Sequence, residues 1–280
     1  MALRLENTTG VPARIWNLHE TGYQAALARQ AADAKLVAQY DRAKEFPLSY
    51  LRKHSFITAP ASDKAGTVRG LLQFFGISSM DAFQATWNQG AVAYRRSAVG
   101  HHDPHRLATW LRAAERSCTL GDFPAYDRGK LEAALPELRS LTVEDPVQAI
   151  QKAQALLRDC GVALTLVPAV PGLGTHGATR WLQGHPLIQL SDLWKCDDQL
   201  WFTLFHEIAH VLLHESNGLY LNNDHDNLEK EANAYASRFL VPEDYEDRLP
   251  RHRNLDEVKV LAKELGIAPS IVLGQAQHRT

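Results

Sequence analysis

Cysteine is scarce in this chain: Cys118, Cys160 and Cys196 are odd in number, far apart and in no C-x-x-C pair. That excludes a disulfide framework and a cysteine-built zinc cluster, and it suits a reducing, cytoplasmic setting. An excess of one charge is also missing, with 30 Lys and Arg against 32 Asp and Glu. The net charge of −2 creates no global pull toward nucleic acid or an anionic membrane. Long apolar runs are absent as well. None reaches the roughly 20 residues needed to span a bilayer, and the N-terminal MALRLENTTGVPARIW lacks an apolar signal core, so no membrane role is expected.

What remains is an ordinary globular composition, 45% hydrophobic and 22% charged over 280 residues, enough for one large domain or two smaller ones. Residues 1–45 read as a helix, a break at Gly10-Val11-Pro12, and a long Ala-rich helix from Tyr23 to Lys44. Residues 46–140 read as further helices: Pro47–Arg52, Thr67–Phe75, Ser79–Trp87, Ala91–Ser97, Pro104–Ser117 and Asp127–Arg139. His101, His102 and His105 fall in a polar, Pro-broken stretch and are expected to be solvated. Another helix is expected over Thr142–Asp159, with Pro146 in its first turn and Gly161 closing it.

Then the period changes from helical to alternating. Val162–Val167, Gly177–Leu182 and Pro186–Ser191 read as strands, with Gly184-His185 as the turn between the last two. Leu187–Ser191 is a candidate edge for pairing with an extended substrate, or simply an interior strand. The C-terminal LDEVKVLAKELGIAPSIVLGQAQ reads as two short helices. Its second helix carries no Arg or Lys to meet phosphates or bases, so packing rather than DNA reading is expected. The fold class is α+β and mostly helical, with an N-terminal helical region followed by a domain holding a small mixed sheet.

One stretch carries chemistry. In LWFTLFHEIAHVLL, His206 and His210 lie four apart, about 40° from one another around a helix, so one face presents two imidazoles to a single metal ion. Glu207 stands beside that pair, placed to take a proton from a water. Catalytic zinc needs a third protein ligand and an open fourth position. Glu229, opening a helical run that reaches Leu240, is the preferred third ligand, and Asn233 one turn later can brace a ligand imidazole. Glu231 is a rival, about 200° round the same helix. His214 is another, with a helix C-terminal capping role as its expected alternative.

The runs PLIQLSDLWKCDDQLWFTLFHEIAHVLLHE, EKEANAYASRFLVP and VKVLAKELGIAPSIVLGQAQH together resemble the ImmA/IrrE family of zincin-like metallopeptidases, over roughly Leu141 to the C-terminus. The resemblance implies a zincin-like metallopeptidase domain at 141–280, zinc on His206, His210 and Glu229, and Glu207 as catalytic base. Tyr235 stands where the family more often has Phe. Residues 1–45 are similar to the closing helices of an Xre-type helix-turn-helix domain and the connecting helix after it, without the earlier helices. The start is therefore expected to be either truncated by start-codon choice or a variant that has lost its DNA reader, and autonomous DNA binding is not expected.

The implied activity is zinc-dependent hydrolysis of a peptide bond in a regulatory protein, a repressor or transcription factor, under stress or in mobile-element and toxin–antitoxin control. Arg180, His176 and Tyr235 are candidate donors to the charge that develops on the carbonyl oxygen. The competing expectation is a non-proteolytic regulator or antitoxin-like protein that uses the same fold for sensing or partner binding. Residues 1–140 would then bind a partner or a second copy of the chain.

Overall fold

A computed structural model of the chain describes residues 1–83, 87, 103–118, 120–193, 197–214, 219–221, 227–250 and 254–278. The expectations for Ala91–Ser97, His101, His102 and Cys196 lie outside these residues. The chain forms two compact units, Met1–Thr86 and Trp87–Thr280.

In the first unit, α1 (Ala2–Thr9) ends at Gly10, whose φ of 75° supplies the left-handed closing residue that a side chain would resist. Pro12 then lets α2 (Ala13–Val37) begin, and α3 (Tyr40–Ala43) and α4 (Leu48–Lys53) follow. The helix expected from Tyr23 to Lys44 thus starts ten residues earlier and breaks after Val37. α5 (Lys64–Phe75) is capped by Asp63, which accepts from the Gly66 N–H. Leu51, Val68 and Leu71 are fully buried among the rings of Phe46, Phe74, Phe75 and Phe83. α2 contributes no buried residue to this core.

From residue 103 on, the described part of the second unit first has three helices whose starts the sequence marks clearly. α6 (Pro104–Ser117), α7 (Arg128–Ser140) and α8 (Pro146–Asp159) are capped by Asp103, Asp127 and Asp145, each accepting from backbone N–H groups of the first turn. α8 starts at Pro146, not Thr142, because proline lacks an N–H and disfavours helical geometry in the residue before it. A separate short turn of 3-10 helix covers Leu141–Val143.

Four strands follow: β1 (Ala163–Val167), β2 (Gly177–Leu182), β3 (His185–Ser191) and β4 (Leu219–Leu221). The sheet is mixed, in the order β1-β3-β2-β4, with β1 parallel to β3 and the other pairs antiparallel. The β2–β3 turn is Gln183-Gly184, both at positive φ (53° and 86°), as a two-residue turn of the favoured hand requires. It lies one residue before the expected Gly184-His185, and His185 already pairs with Leu182. β3 lies between β1 and β2, so Leu187–Ser191 has no open edge for a substrate. The three-residue β4 is an addition that its length hides from periodicity.

α9 (Asp197–Leu213) packs on β2 and β3, and α10 (Asn227–Leu240) packs on α9. α9 is apolar nearly all round, which fits a helix enclosed on every side: Trp201, Leu204, Phe205 and Ile208 are at most 1% exposed. Each such side chain contributes about 2 kcal/mol by leaving water. α11 (Leu255–Leu265) and α12 (Pro269–His278) close the core from below, and Gly274 lets α12 approach Asp198 at the start of α9, where a Cβ would overlap the carboxylate. The C-terminal pair therefore packs under the central helix, as expected.

Leu131, Leu135 and Leu138 of α7 join the same core as Trp201 and Phe205. The structure accordingly divides at 86/87, where the expected boundaries were 45 and 140. No helix among the described residues is long and apolar enough to cross a membrane.

Candidate active site

The helical spacing of α9 aligns His206 and His210, whose Nε2 atoms are 3.0 Å apart and fully buried. α10 returns beside α9 and delivers Glu229 to the same point. Its two oxygens lie 3.1 Å from His206 Nε2 and 2.9 Å from His210 Nε2. These three residues form a buried set of donor atoms, all within 4.8 Å of one another, that can hold a metal ion.

Hydrogen bonds on the far side of each ring decide what the near side offers. His206 Nδ1 donates to Asn233 Oδ1 at 2.9 Å, which leaves a lone pair on Nε2 pointing at Glu229. His210 Nδ1 meets His214 Nδ1 at 2.8 Å, and His214 Nε2 faces Glu231 Oε2 at 3.4 Å. That distance is an ion-pair contact only, since His214 Nε2 has no hydrogen-bond partner among the described residues, and the His210–His214 pair shares one proton between its Nδ1 atoms. Of the sequence rivals of Glu229, His214 thus backs His210 from outside and is turned to that ring instead of capping the helix, while Glu231 stays largely exposed. Tyr220 of β4 stacks on His210, with centroids 4.6 Å apart and planes at 12°.

The inward lone pair of His206 and the Glu229 carboxylate repel one another unless a positive charge sits between them. The chain's own electrostatics show the tension. Burial pulls the His206 pKa down, yet Glu229 and Glu207 outweigh it and the net shift is upward. Burial dominates at His210, with the neighbouring His206 and His214 adding to it, and the net shift is downward despite Glu229. Burial would raise Glu229, but its contacts with both imidazoles hold it below the ordinary carboxylate range. The donor set fits a divalent cation that takes nitrogen and oxygen ligands.

Glu207 lies against β2. Its Oε2 accepts from Thr179 Oγ1 at 2.7 Å, and that hydroxyl is also 3.1 Å from the Glu207 carbonyl oxygen. Oε1 is buried and has no hydrogen-bond partner among the described residues. Desolvation pushes the Glu207 pKa up to about 8, against the pull of His206 and Thr179. Such an isolated acceptor is costly to keep unless it serves a proton or a substrate.

The three expected donors are not gathered here in one place. Arg180 follows Thr179 on β2, and alternation turns it to the opposite face. There Nη1 donates to Glu115 Oε1 and Nη2 to the Leu111 carbonyl, both at 2.6 Å, so Arg180 is a structural residue beneath α6. Tyr235 lies six residues beyond Glu229, about 240° round α10. It stacks on Phe239 and lines an outer groove with Leu213 and Arg238, away from the imidazoles. His176 stays close in sequence to the site. Its carbonyl accepts from the Ser191 N–H, its ring is partly buried with the pKa lowered by burial, and the next residue, Gly177, touches Glu207.

Sequence reading missed Thr179, Gly177, Tyr220 and the support that His214 gives His210. Only Gly177 carried a signal, since a glycine in a strand marks the close approach of another group. No curated protein matches the chain significantly. Residues 170–274 match the profile of the IrrE N-terminal-like domain, a peptidase family, and that span covers β2, β3 and every residue of the donor set. Over residues 170–274 the chain is therefore similar to the IrrE N-terminal-like, or ImmA/IrrE, domain family.

Proposed function

We propose that the second unit is a zinc-dependent endopeptidase that cleaves a regulatory protein, and that Glu207 is its general base. The observation that carries this reading is the buried, unpartnered Oε1 of Glu207 on the residue next to a two-imidazole, one-carboxylate donor set. Held by His206, His210 and Glu229, zinc supplies Lewis acidity, lowering the pKa of a water and polarising the scissile carbonyl. Glu207 takes the proton of the attacking water on Oε1 and delivers it to the departing amine. Asn233 keeps the His206 imidazole in the tautomer that presents Nε2, and His214 braces the His210 ring. The dry surroundings strengthen each of these interactions relative to water.

The choice of substrate rests on the family resemblance: a repressor or transcription factor cut in response to stress or a mobile-element or toxin–antitoxin signal. The same reading assigns cytoplasmic work, no DNA binding by the chain alone, and partner or homodimer contacts to the first unit. Zinc analysis of the purified chain and sequencing of new N-termini in a cell-derived protein mixture test it, with Glu207→Gln alongside. Wild type is expected to bind zinc and generate defined cuts, while Glu207→Gln binds zinc and generates none. A Glu207→Gln chain that retains zinc and still performs the regulatory task would replace the peptidase with a non-proteolytic regulator.

A further inference from the structure

The sheet touches Glu207 in a way that α9 alone does not explain. β2 is held in place on both sides: Thr179 pairs across the ladder with Ile188 of β3 and with Tyr220 of β4. Thr179 is fully buried, and its hydroxyl proton has the Glu207 carboxylate as its nearest acceptor. Two residues earlier on the same face, Gly177 leaves the space that Oε1 occupies. A Cβ there would overlap Oε1 and come within 2.7 Å of Thr203 Cγ2. One residue of β2 therefore grips one oxygen, and a second makes room for the other.

We propose that β2 sets the direction of the Glu207 carboxylate, with Thr179 as a positioning residue and Gly177 as the residue whose missing side chain lets Oε1 stay free. The inference rests on Glu207 acting as base, and gives that role a geometric cause. A glutamate has three rotatable bonds, and an exposed one samples many directions. Burial alone would not choose among them. The Thr179 hydrogen bond holds Oε2, so the proton-accepting Oε1 is the one left over Gly177 without a hydrogen-bond partner. Ala178 and Arg180, the alternate residues of β2, point to the other face and take no part.

The test uses the full zinc-loaded chain as wild type, Thr179→Ser, Thr179→Val and Gly177→Ala, with fluorescein-labelled casein as probe. Metal-free crystal structures of the same variants supply a readout independent of turnover. Zinc content is expected to be unchanged throughout. Thr179→Val should lower kcat about 10- to 100-fold with little change in KM, the range expected for one hydrogen bond to a charged group. Thr179→Ser, which keeps the hydroxyl, should stay within about threefold of wild type. In the metal-free structures the carboxylate should leave its position in Thr179→Val and Gly177→Ala and keep it in Thr179→Ser. An unmoved Glu207 carboxylate in Thr179→Val, or full kcat in that variant, overturns the proposal. Zinc-loaded wild type that cuts nothing counts against the peptidase reading instead, and the crystal structures still decide whether Thr179 holds the carboxylate.

Discussion

Two buried charged clusters lie on opposite faces of β2, and they differ in one respect. On the α6 face, Arg180 meets Glu115 and the Leu111 carbonyl, so cation, anion and dipole all come from the chain. On the α9 face, His206, His210, Glu229 and Glu207 bring ring nitrogens and carboxylates together, and Glu229 lies between the two imidazoles. The first cluster pairs its cation with its own anion as folded. The second is arranged for a charge that comes from elsewhere. Burial, which tells core from surface, does not separate the two, since both are nearly closed to water. The balance of charge does.

Substitutions can break this comparison, beginning with the largest effect. His206→Ala should take zinc from about one per chain to near zero by elemental analysis, because two remaining donors do not make a catalytic site. Glu115→Ala should leave that zinc content unchanged and cost about 3–5 kcal/mol in denaturant unfolding, since Arg180 is then buried without its partner. Should Glu115→Ala abolish zinc binding while leaving stability intact, the two faces would not be separate devices.

Smaller changes sharpen it. Asn233→Ala should weaken zinc about 10- to 100-fold in chelator competition, because the His206 ring loses the contact that sets its tautomer. His214→Ala should fall in the same range. Glu231→Gln should stay within about twofold, since its side chain is 61% exposed and the contact is 3.4 Å long. Equal losses for Glu231 and Asn233 would mean that exposure does not weaken the outer support.

A separate effect concerns pH. Glu207 has a folded pKa raised from 4.5 to about 8, so the metal-free folded state binds more protons than the unfolded chain between those values. Stability therefore falls as pH rises through that window, by about 1.4 kcal/mol per unit. Glu207→Gln, which cannot titrate, should remove this slope from urea unfolding of the metal-free protein between pH 5 and 7. A slope unchanged in Glu207→Gln would place its origin in the histidines.

The two faces also differ in how far they could be read in advance. His206 and His210 are visible because a helix repeats every 3.6 residues, and Asn233 because it lies one turn beyond Glu229. The Asp caps of α6, α7 and α8 and the glycine stops at Gly10, Gly76 and Gly266 are equally local. Arg180 was misplaced for a different reason. Which face of β2 meets α9 depends on the order β1-β3-β2-β4, and strand order is a matter of long-range pairing. Tyr235 failed similarly, because the side of α10 that meets α9 is settled by packing.

By itself, then, the sequence determined the elements and the chemistry of their faces: helical periods, caps and breaks, and a pair of imidazoles with a carboxylate on the next residue. Those depend on interactions within a few residues of one another. Only the tertiary structure decided that Glu229 rather than Glu231 joins the imidazoles, that Thr179 and Gly177 hold Glu207, and that Arg180 belongs to another cluster. Each of these depends on two elements far apart in the chain meeting face to face, and that meeting is fixed by burial of the whole core rather than by any local pattern.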